Sequence, residues 1–295
     1  MNERTQHEFV NGDCRCMSMI PNNSVQLIVT SPPYWQLKDY GIKGQIGFND
    51  TYEQYINNLN IVWSECHRVL CNGCRMCINI GDQFARSAYY GRYKVIPIHS
   101  EIIRFCENIG FDYMGSIIWQ KPTNTHTTGG QKVMGSYPYP RGGIVKIDFE
   151  NILLFKKHGK SPDVPKHVRS QSIITDDEWH TYVGDTILDP FMGSGTTALA
   201  AKNLRRNSIG YEINSEYIKY YREKVMSHSE DLFLFREDKS VINLESAIEK
   251  LPYRFKDIHE LNKKVDVKSN TYGSIIDDKN FTKNKLNDIN KEITS

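Results

Sequence analysis

A strand that runs straight into two prolines limits how this chain can fold more than any other feature. Val25-Gln26-Leu27-Ile28-Val29 reads as a buried strand, and Thr30-Ser31-Pro32-Pro33-Tyr34-Trp35 follows it. Neither proline has a backbone N–H and both fix φ, so the sheet ladder must stop there and the chain leaves as a stiff loop. The loop carries a hydroxyl, proline carbonyls with few local donors, and two aromatic rings. In open α/β sheets, ligands bind at the C-terminal ends of strands, which is where this loop belongs. Its composition suits a flat ring bearing an amine, because an aromatic stacks on the ring while hydroxyl and carbonyl accept the amine's protons. An ordinary strand-ending turn has the same residues, so the loop alone does not decide between the two.

A second stretch does. Thr186-Ile187-Leu188 is a short apolar strand, and Asp189-Pro190-Phe191-Met192-Gly193-Ser194-Gly195-Thr196-Thr197 follows it. Ala198 to Leu204 has the apolar spacing and alanine content of a helix packed on a sheet. Gly193 and Gly195 let backbone approach a ligand closely, and the helix after them offers its N-terminal amides. Asn207-Ser208-Ile209-Gly210-Tyr211-Glu212 is a further strand, ending in an acid placed as a ribose-hydroxyl acceptor would be. Strand, glycine loop, helix, strand and acid make a nucleoside-cofactor half-site. No Lys follows Gly195, which argues against a phosphate-cradling Walker loop.

The TSPPYW and DPFMGSGTT stretches together resemble the DNA amino-methyltransferases that use S-adenosylmethionine. Their order, catalytic loop before cofactor loop, is similar to the β arrangement of that family, and the resemblance runs from about Phe9 to Val225. It implies an α/β, Rossmann-like methyltransferase fold: a mixed, mostly parallel sheet with helices on both faces and a small target-recognition insertion. The expected parts are a catalytic-loop half over 1–122, an insertion and returning strand over 123–183, a cofactor half over 184–225 and a polar extension over 226–295. The resemblance makes Ser31 Oγ and the Pro32 carbonyl the acceptors of the target amine's protons, with Pro33 and Tyr34 completing the catalytic loop and Tyr34 stacking on the base. It assigns S-adenosylmethionine to Asp13, Asp189, Phe191, Gly193, Gly195, Thr196 and Glu212. Asp13 matches the acid that contacts the adenine edge.

The implied partner is double-stranded DNA, from which the target base is rotated before transfer. A cognate restriction endonuclease is the implied functional partner. Within the family, Ser at the position of Ser31 resembles the N4-cytosine enzymes, whereas Asp is usual in N6-adenine enzymes. The expected reaction is therefore methylation of cytosine N4, with adenine N6 as the alternative. No Pro-Cys nucleophile of the cytosine-C5 type occurs. An RNA or protein-glutamine methyltransferase fits the Pro-Pro-Tyr loop, but fits the order of the two motifs less well.

Other segments fill in this plan. Glu8-Phe9-Val10 and residues 75–80 read as strands, the second ending in Gly81-Asp82, where Asp82 either helps the site or caps a turn. Tyr52 to Leu70 repeats apolar residues at three and four, as an amphipathic core helix does, and residues 95–109 read as a second helix. Ser116 to Pro122 and Phe149 to Phe155 read as strands. Between Pro122 and Asp148 the chain is aromatic, proline- and glycine-rich, and basic. Lys132, Arg141 and Lys146 there are candidates for phosphates or guanine edges. Beyond Met226 the apolar periodicity fades, although Leu251 to Phe255 reads as a short docked element.

The chain of 295 residues has a formal charge of +2, so any DNA contact must come from a local patch. Mean hydropathy is −0.54, there is no long apolar run, and the N-terminus is polar. The expected setting is cytoplasmic, with no membrane partner. Seven cysteines suit a reducing compartment. Cys71, Cys74 and Cys77 have metal-like spacing, but Cys77 falls in a strand pattern and no close fourth cysteine follows, so thiols without metal are expected. One departure from the family stands out. The helix expected before the cofactor loop has no evident counterpart in the sequence where Asp176 to Tyr182 passes almost directly to Gly184, with only a short capping-box segment, Thr175 to Glu178, in its place. The expectation is a pocket open on one side and weak cofactor affinity, with a catalytically impaired DNA-binding relic as the extreme case.

Overall fold

The computed structural model describes residues 4–85, 90–92, 94–121, 147–163, 185–227 and 231–257. Its main sheet has eight strands. They are β1 (Gln6–Asn11), β2 (Val25–Thr30), β3 (Leu70–Ile80), β6 (Phe111–Gln120), β7 (Phe149–Lys157), β8 (Thr186–Asp189), β9 (Asn207–Glu212) and β10 (Leu232–Glu237), in the order β10-β1-β9-β8-β2-β3-β7-β6. The run from β10 to β3 is parallel, and β7 is antiparallel to both β3 and β6. A hairpin of β4 (Gln83–Ala85) and β5 (Lys94–Ile96) stands apart from it.

Among the described residues the helices are α1 (Tyr52–Val69), α2 (Ile98–Asn108), α3 (Thr196–Asn203), α4 (Tyr217–Tyr221) and α5 (Leu244–Glu249), and α4 runs on into a π-turn at Arg222–Met226. Adjacent residues of β1 show the two buried faces. Val10 joins a cluster with Ile28, Tyr55, Trp63, Met76 and Phe105, whereas Phe9 joins Met192, Ala198, Tyr221 and Val225. Alternating side chains of a strand covered on both sides must split in this way.

Local chemistry explains the boundaries. Helix α1 starts at a full capping box, in which Thr51 Oγ1 accepts from the Gln54 N–H at 3.2 Å and Gln54 Oε1 from the Thr51 N–H at 2.8 Å. The helix expected over 95–109 begins only at Ile98, because β5 occupies 94–96 and Pro97 takes the N-cap. Asp82 turns out to be a capping residue: Oδ1 accepts from the His99 N–H at 3.3 Å and lies 2.6 Å from His99 Nδ1. Strand β3 begins earlier than its alternation indicates, because a bulge carries Cys71 and Cys74; opposite Val25 is Leu70, but opposite Leu27 is Arg75. The Cys71 thiol donates to the Asn23 carbonyl at 3.0 Å.

The polar stretch beyond Met226 holds an element that its composition hides. Strand β10 pairs along all of β1, from Gln6 with Leu232 to Asn11 with Glu237. Phe255 docks as expected, 8% exposed, and its backbone N–H and C=O both bond the Asn57 side chain at 3.0 Å. Lys132, Arg141 and Lys146, and the segment expected to lack the family's helix, lie outside the described residues.

Candidate active site

The sheet order places the two sequence motifs side by side. From β8 the chain moves through α3 to β9 on one side, and from β2 through α1 to β3 on the other. The β8–β2 boundary is therefore the switch point, where a crevice opens at the C-terminal strand ends. Thr30 ends β2 and Asp189 ends β8, and the Thr30 hydroxyl donates to Asp189 Oδ1 at 2.7 Å. The same carboxylate accepts from the Phe191 N–H at 3.0 Å and from Thr197 Oγ1 at 2.7 Å. Burial pushes the Asp189 pKa up, and these three donors offset the shift. Asp189 is a pin beneath the two loops and does not line the crevice.

Above the pin is a cleft of about 360 Å³, within the range of small-molecule sites. One wall is the proline loop, with Ser31, Pro32, Pro33 and Tyr34; the opposite wall includes Asp13, Phe191, Gly193 and Glu212. Eight of the eleven expected catalytic and cofactor residues thus face one cavity. Three do not, for physical reasons. Besides Asp189, Gly195 is the N-cap of α3 at φ +83°, and a Cβ there would lie 2.6 Å from the Tyr221 ring, so this glycine serves packing. Thr196 is exposed and accepts from Lys224 Nζ at 2.6 Å.

The proline loop is held firmly. Tyr55 donates its hydroxyl to the Pro33 carbonyl at 2.9 Å, and Trp35 Nε1 donates to the Asp50 carbonyl at 2.9 Å. Burial pushes the Tyr34 phenol well above its usual range, and the Glu150 carboxylate beside it adds to the effect. Glu150 in turn accepts from Asn79 Nδ2 at 2.7 Å and pairs with Lys121 Nζ at 3.0 Å. Tyr34 therefore presents a neutral ring with its edge tied down. Glu150 lies in a segment whose likeness to the family is legible, but its place beside Tyr34 depends on β7 running antiparallel to β3.

On the opposite wall Glu212 organises the glycine loop. Its Oε2 accepts from the Gly193 N–H and its Oε1 from the Asn214 N–H, both at 2.8 Å. Burial raises its pKa and these amides work against the rise. Tyr40 and Tyr217 add aromatic surface, and Leu37, Lys38, Gly44, Gln45 and Ile46 close the cleft from the loop after Trp35. Sequence reasoning missed this loop. Its polar, glycine-containing composition is that of any surface turn, and only the fold lays it over the cleft.

The comparisons with known proteins agree with this geometry. The sequence profile described as DNA methylase matches residues 25–181 and 174–223. The two stretches overlap over residues 174–181, within the segment that is expected to lack the family's helix. Type II methyltransferase M.MjaI of Methanocaldococcus jannaschii is 31% identical over 75% of this chain and 91% of its own length. M.MthZI of Methanothermobacter thermautotrophicus is 27% identical over 80% of this chain and 84% of its own. A Thermus thermophilus protein assigned as a DNA modification methylase, solved with S-adenosyl-L-methionine, is 28% identical, with a TM-score of 0.62, and covers 80% of this chain and 100% of its own. With a fold, a cleft and a profile that coincide, the chain belongs to the DNA methylase family of N6 and N4 amino-methyltransferases, in the order that puts the catalytic loop first.

Proposed function

We propose that the protein methylates the exocyclic N4 amine of cytosine in duplex DNA, with S-adenosylmethionine as the methyl donor. The observation that carries this reading is the convergence of Ser31 and Tyr34 with Gly193 and Glu212 on one cleft, over the Thr30–Asp189 pin. The cofactor fits the residues present. Glu212 suits a ribose hydroxyl and, as an acid, disfavours a phosphate chain, while Phe191, Tyr40 and Tyr217 suit a ring. When bound, S-adenosylmethionine supplies an electrophilic sulfonium methyl.

The chain's own part is to grip and orient the amine. An exocyclic amine is a poor nucleophile because its lone pair is delocalised into the ring. Ser31 Oγ and the Pro32 carbonyl accept its two N–H groups, which favours a pyramidal nitrogen with the lone pair free. Tyr34, neutral and braced at its hydroxyl, stacks on the base. Holding the amine in line for attack supplies much of the acceleration. The base reaches this loop only when rotated out of the duplex, and Lys132, Arg141 and Lys146 are the proposed DNA contacts.

A neutral acceptor at Ser31 favours cytosine. Adenine N6 is the second reading, because the matching family includes both targets. Protection of DNA from a cognate restriction enzyme is the proposed role, in keeping with the Type II relatives.

The test is methylation of a mixed-sequence duplex, followed by digestion to nucleosides. N4-methylcytosine is the expected product, and Ser31→Ala is expected to lower kcat roughly 10²-fold, as loss of one site hydrogen bond does elsewhere, with cofactor affinity within about twofold. N6-methyladenine as the sole product would reverse the choice of base. No methylated nucleoside alongside intact DNA binding would favour the impaired relic, the outcome that the short segment expected in place of a helix before β8 raises.

A further inference from the structure

Arg15 is 6% exposed and does not line the cleft, yet it bonds to residues on two of its walls. Its Nε donates to Asp13 Oδ1 and Oδ2 at 3.0 Å, and one terminal nitrogen donates to Asp13 Oδ2 at 2.6 Å and to the Gly44 carbonyl at 3.0 Å. The other terminal nitrogen donates to Asn58 Oδ1 at 2.9 Å. Asn58 in turn donates to Asp50 Oδ2 at 3.1 Å, and that oxygen also accepts from the Gly47 N–H at 2.9 Å. One planar cation therefore joins the turn after β1, the loop over the cleft and helix α1.

The joined walls bound the same end of the cleft. Gly12, next to Asp13, donates its N–H to the Glu212 carbonyl at 3.1 Å, so Asp13 and Glu212 are neighbours at adjacent strand ends. Gly44 sits at φ +89° with no side chain of its own to anchor it, and a Cβ placed there would lie 3.6 Å from Ile213 Cδ1 and 3.8 Å from the Arg15 guanidinium. The width of this end depends on the guanidinium's fork, which offers donors in fixed directions.

We propose that Arg15 is a positioning residue for the cofactor. By holding the Asp13 wall against the Gly44 wall it sets the shape of the end that receives the nucleoside, so it governs affinity for S-adenosylmethionine and leaves the transfer step and the DNA contacts to other residues. The inference rests on the reading of the cleft as a cofactor site. It also changes the role of Asp13. Both carboxylate oxygens are engaged by a cation, so this acid presents a neutralised acceptor to a ligand and not a free negative charge.

The test compares the full chain with Arg15→Gln and Arg15→Lys, using calorimetry with S-adenosylmethionine and steady-state methylation of duplex DNA. Arg15→Gln is expected to raise Kd and KM for the cofactor tenfold or more, with kcat within threefold and KM for DNA within twofold. Arg15→Lys keeps the charge and loses the fork, so it should stay within threefold of Arg15→Gln. Full rescue by Lys would overturn the proposal, as would equal losses in kcat and in KM for DNA. Should Arg15→Gln not fold, Asn58→Ala removes a single partner of the guanidinium and is expected to raise cofactor Kd at least threefold; an unchanged Kd there overturns the proposal. A parent chain that binds no S-adenosylmethionine defeats the cofactor reading and the proposal with it. Parent binding with an unchanged Arg15→Gln defeats the proposal alone.

Discussion

Several residues that organise this protein are polar and buried, and each makes a measurable difference. His7 lies inside the sheet with 0% exposure, Nδ1 at 2.8 Å from Ser208 Oγ and Nε2 at 2.9 Å from Thr5 Oγ1. Burial lowers its pKa from 6.5 to about 4. Between those values the unfolded chain holds a proton that the native state does not, so stability is complete above the upper value and falls as pH drops toward the lower. The loss across that window is on the order of 3 kcal/mol. Urea unfolding at pH 7 and pH 4.5 is expected to show a steeper acid loss for the parent than for His7→Gln; parallel losses would refute the assignment. His7, Arg15, Asn57 and Asn58 share one reason for being illegible. Reading by periodicity counts apolar residues inward, and a polar residue goes inward only when a partner far along the chain receives it.

At the scale of elements, legibility followed the strength of the local signal. Strands β2, β8 and β9 and helix α1 stand close to where their patterns end, because prolines, a glycine loop and a capping box stop them by local chemistry. The glycine loop shows the limit of such reading. Gly193 faces the cleft, whereas Gly195 supports the contact of α3 with α4 and its π-turn. In Gly195→Ala the new Cβ would sit in the left-handed region and 2.6 Å from the Tyr221 ring, with Val225 at 3.0 Å. Strain and overpacking together should destabilise by about 2–4 kcal/mol. Denaturant midpoints measure this, and a loss under about 0.5 kcal/mol, the range of ordinary surface substitutions, would mean that the helices do not pack as described.

At the scale of the whole molecule, the first strand depends on the last. Strand β1 lies between β9 and β10, and Asp238 just beyond β10 accepts from the Tyr211 hydroxyl at 2.9 Å and crowds Gly12 beside the cleft. A chain ending at Ser227 loses β10, Asp238 and Phe255 together. It is expected to unfold without a cooperative transition or to aggregate through the bared edge of β1. Circular dichroism during heating is the check, and a sharp transition at the parent temperature would show that the segment is an appendage after all.

The sequence alone determined the two loops, the strands that deliver them, their order and the family they indicate, because proline, glycine and capping residues act on the backbone within a few positions. Only the tertiary structure decided which of those residues share a cleft. Asp189 went beneath it and Gly195 and Thr196 away from it, while the loop over 37–46 came to it from elsewhere in the chain and Glu150 and Arg15 brace its lining residues from behind. The reason is physical. A side chain's neighbours across a parallel sheet are set by crossover connections and by buried hydrogen bonds between distant segments, and neither leaves a periodic trace in the residues that make them.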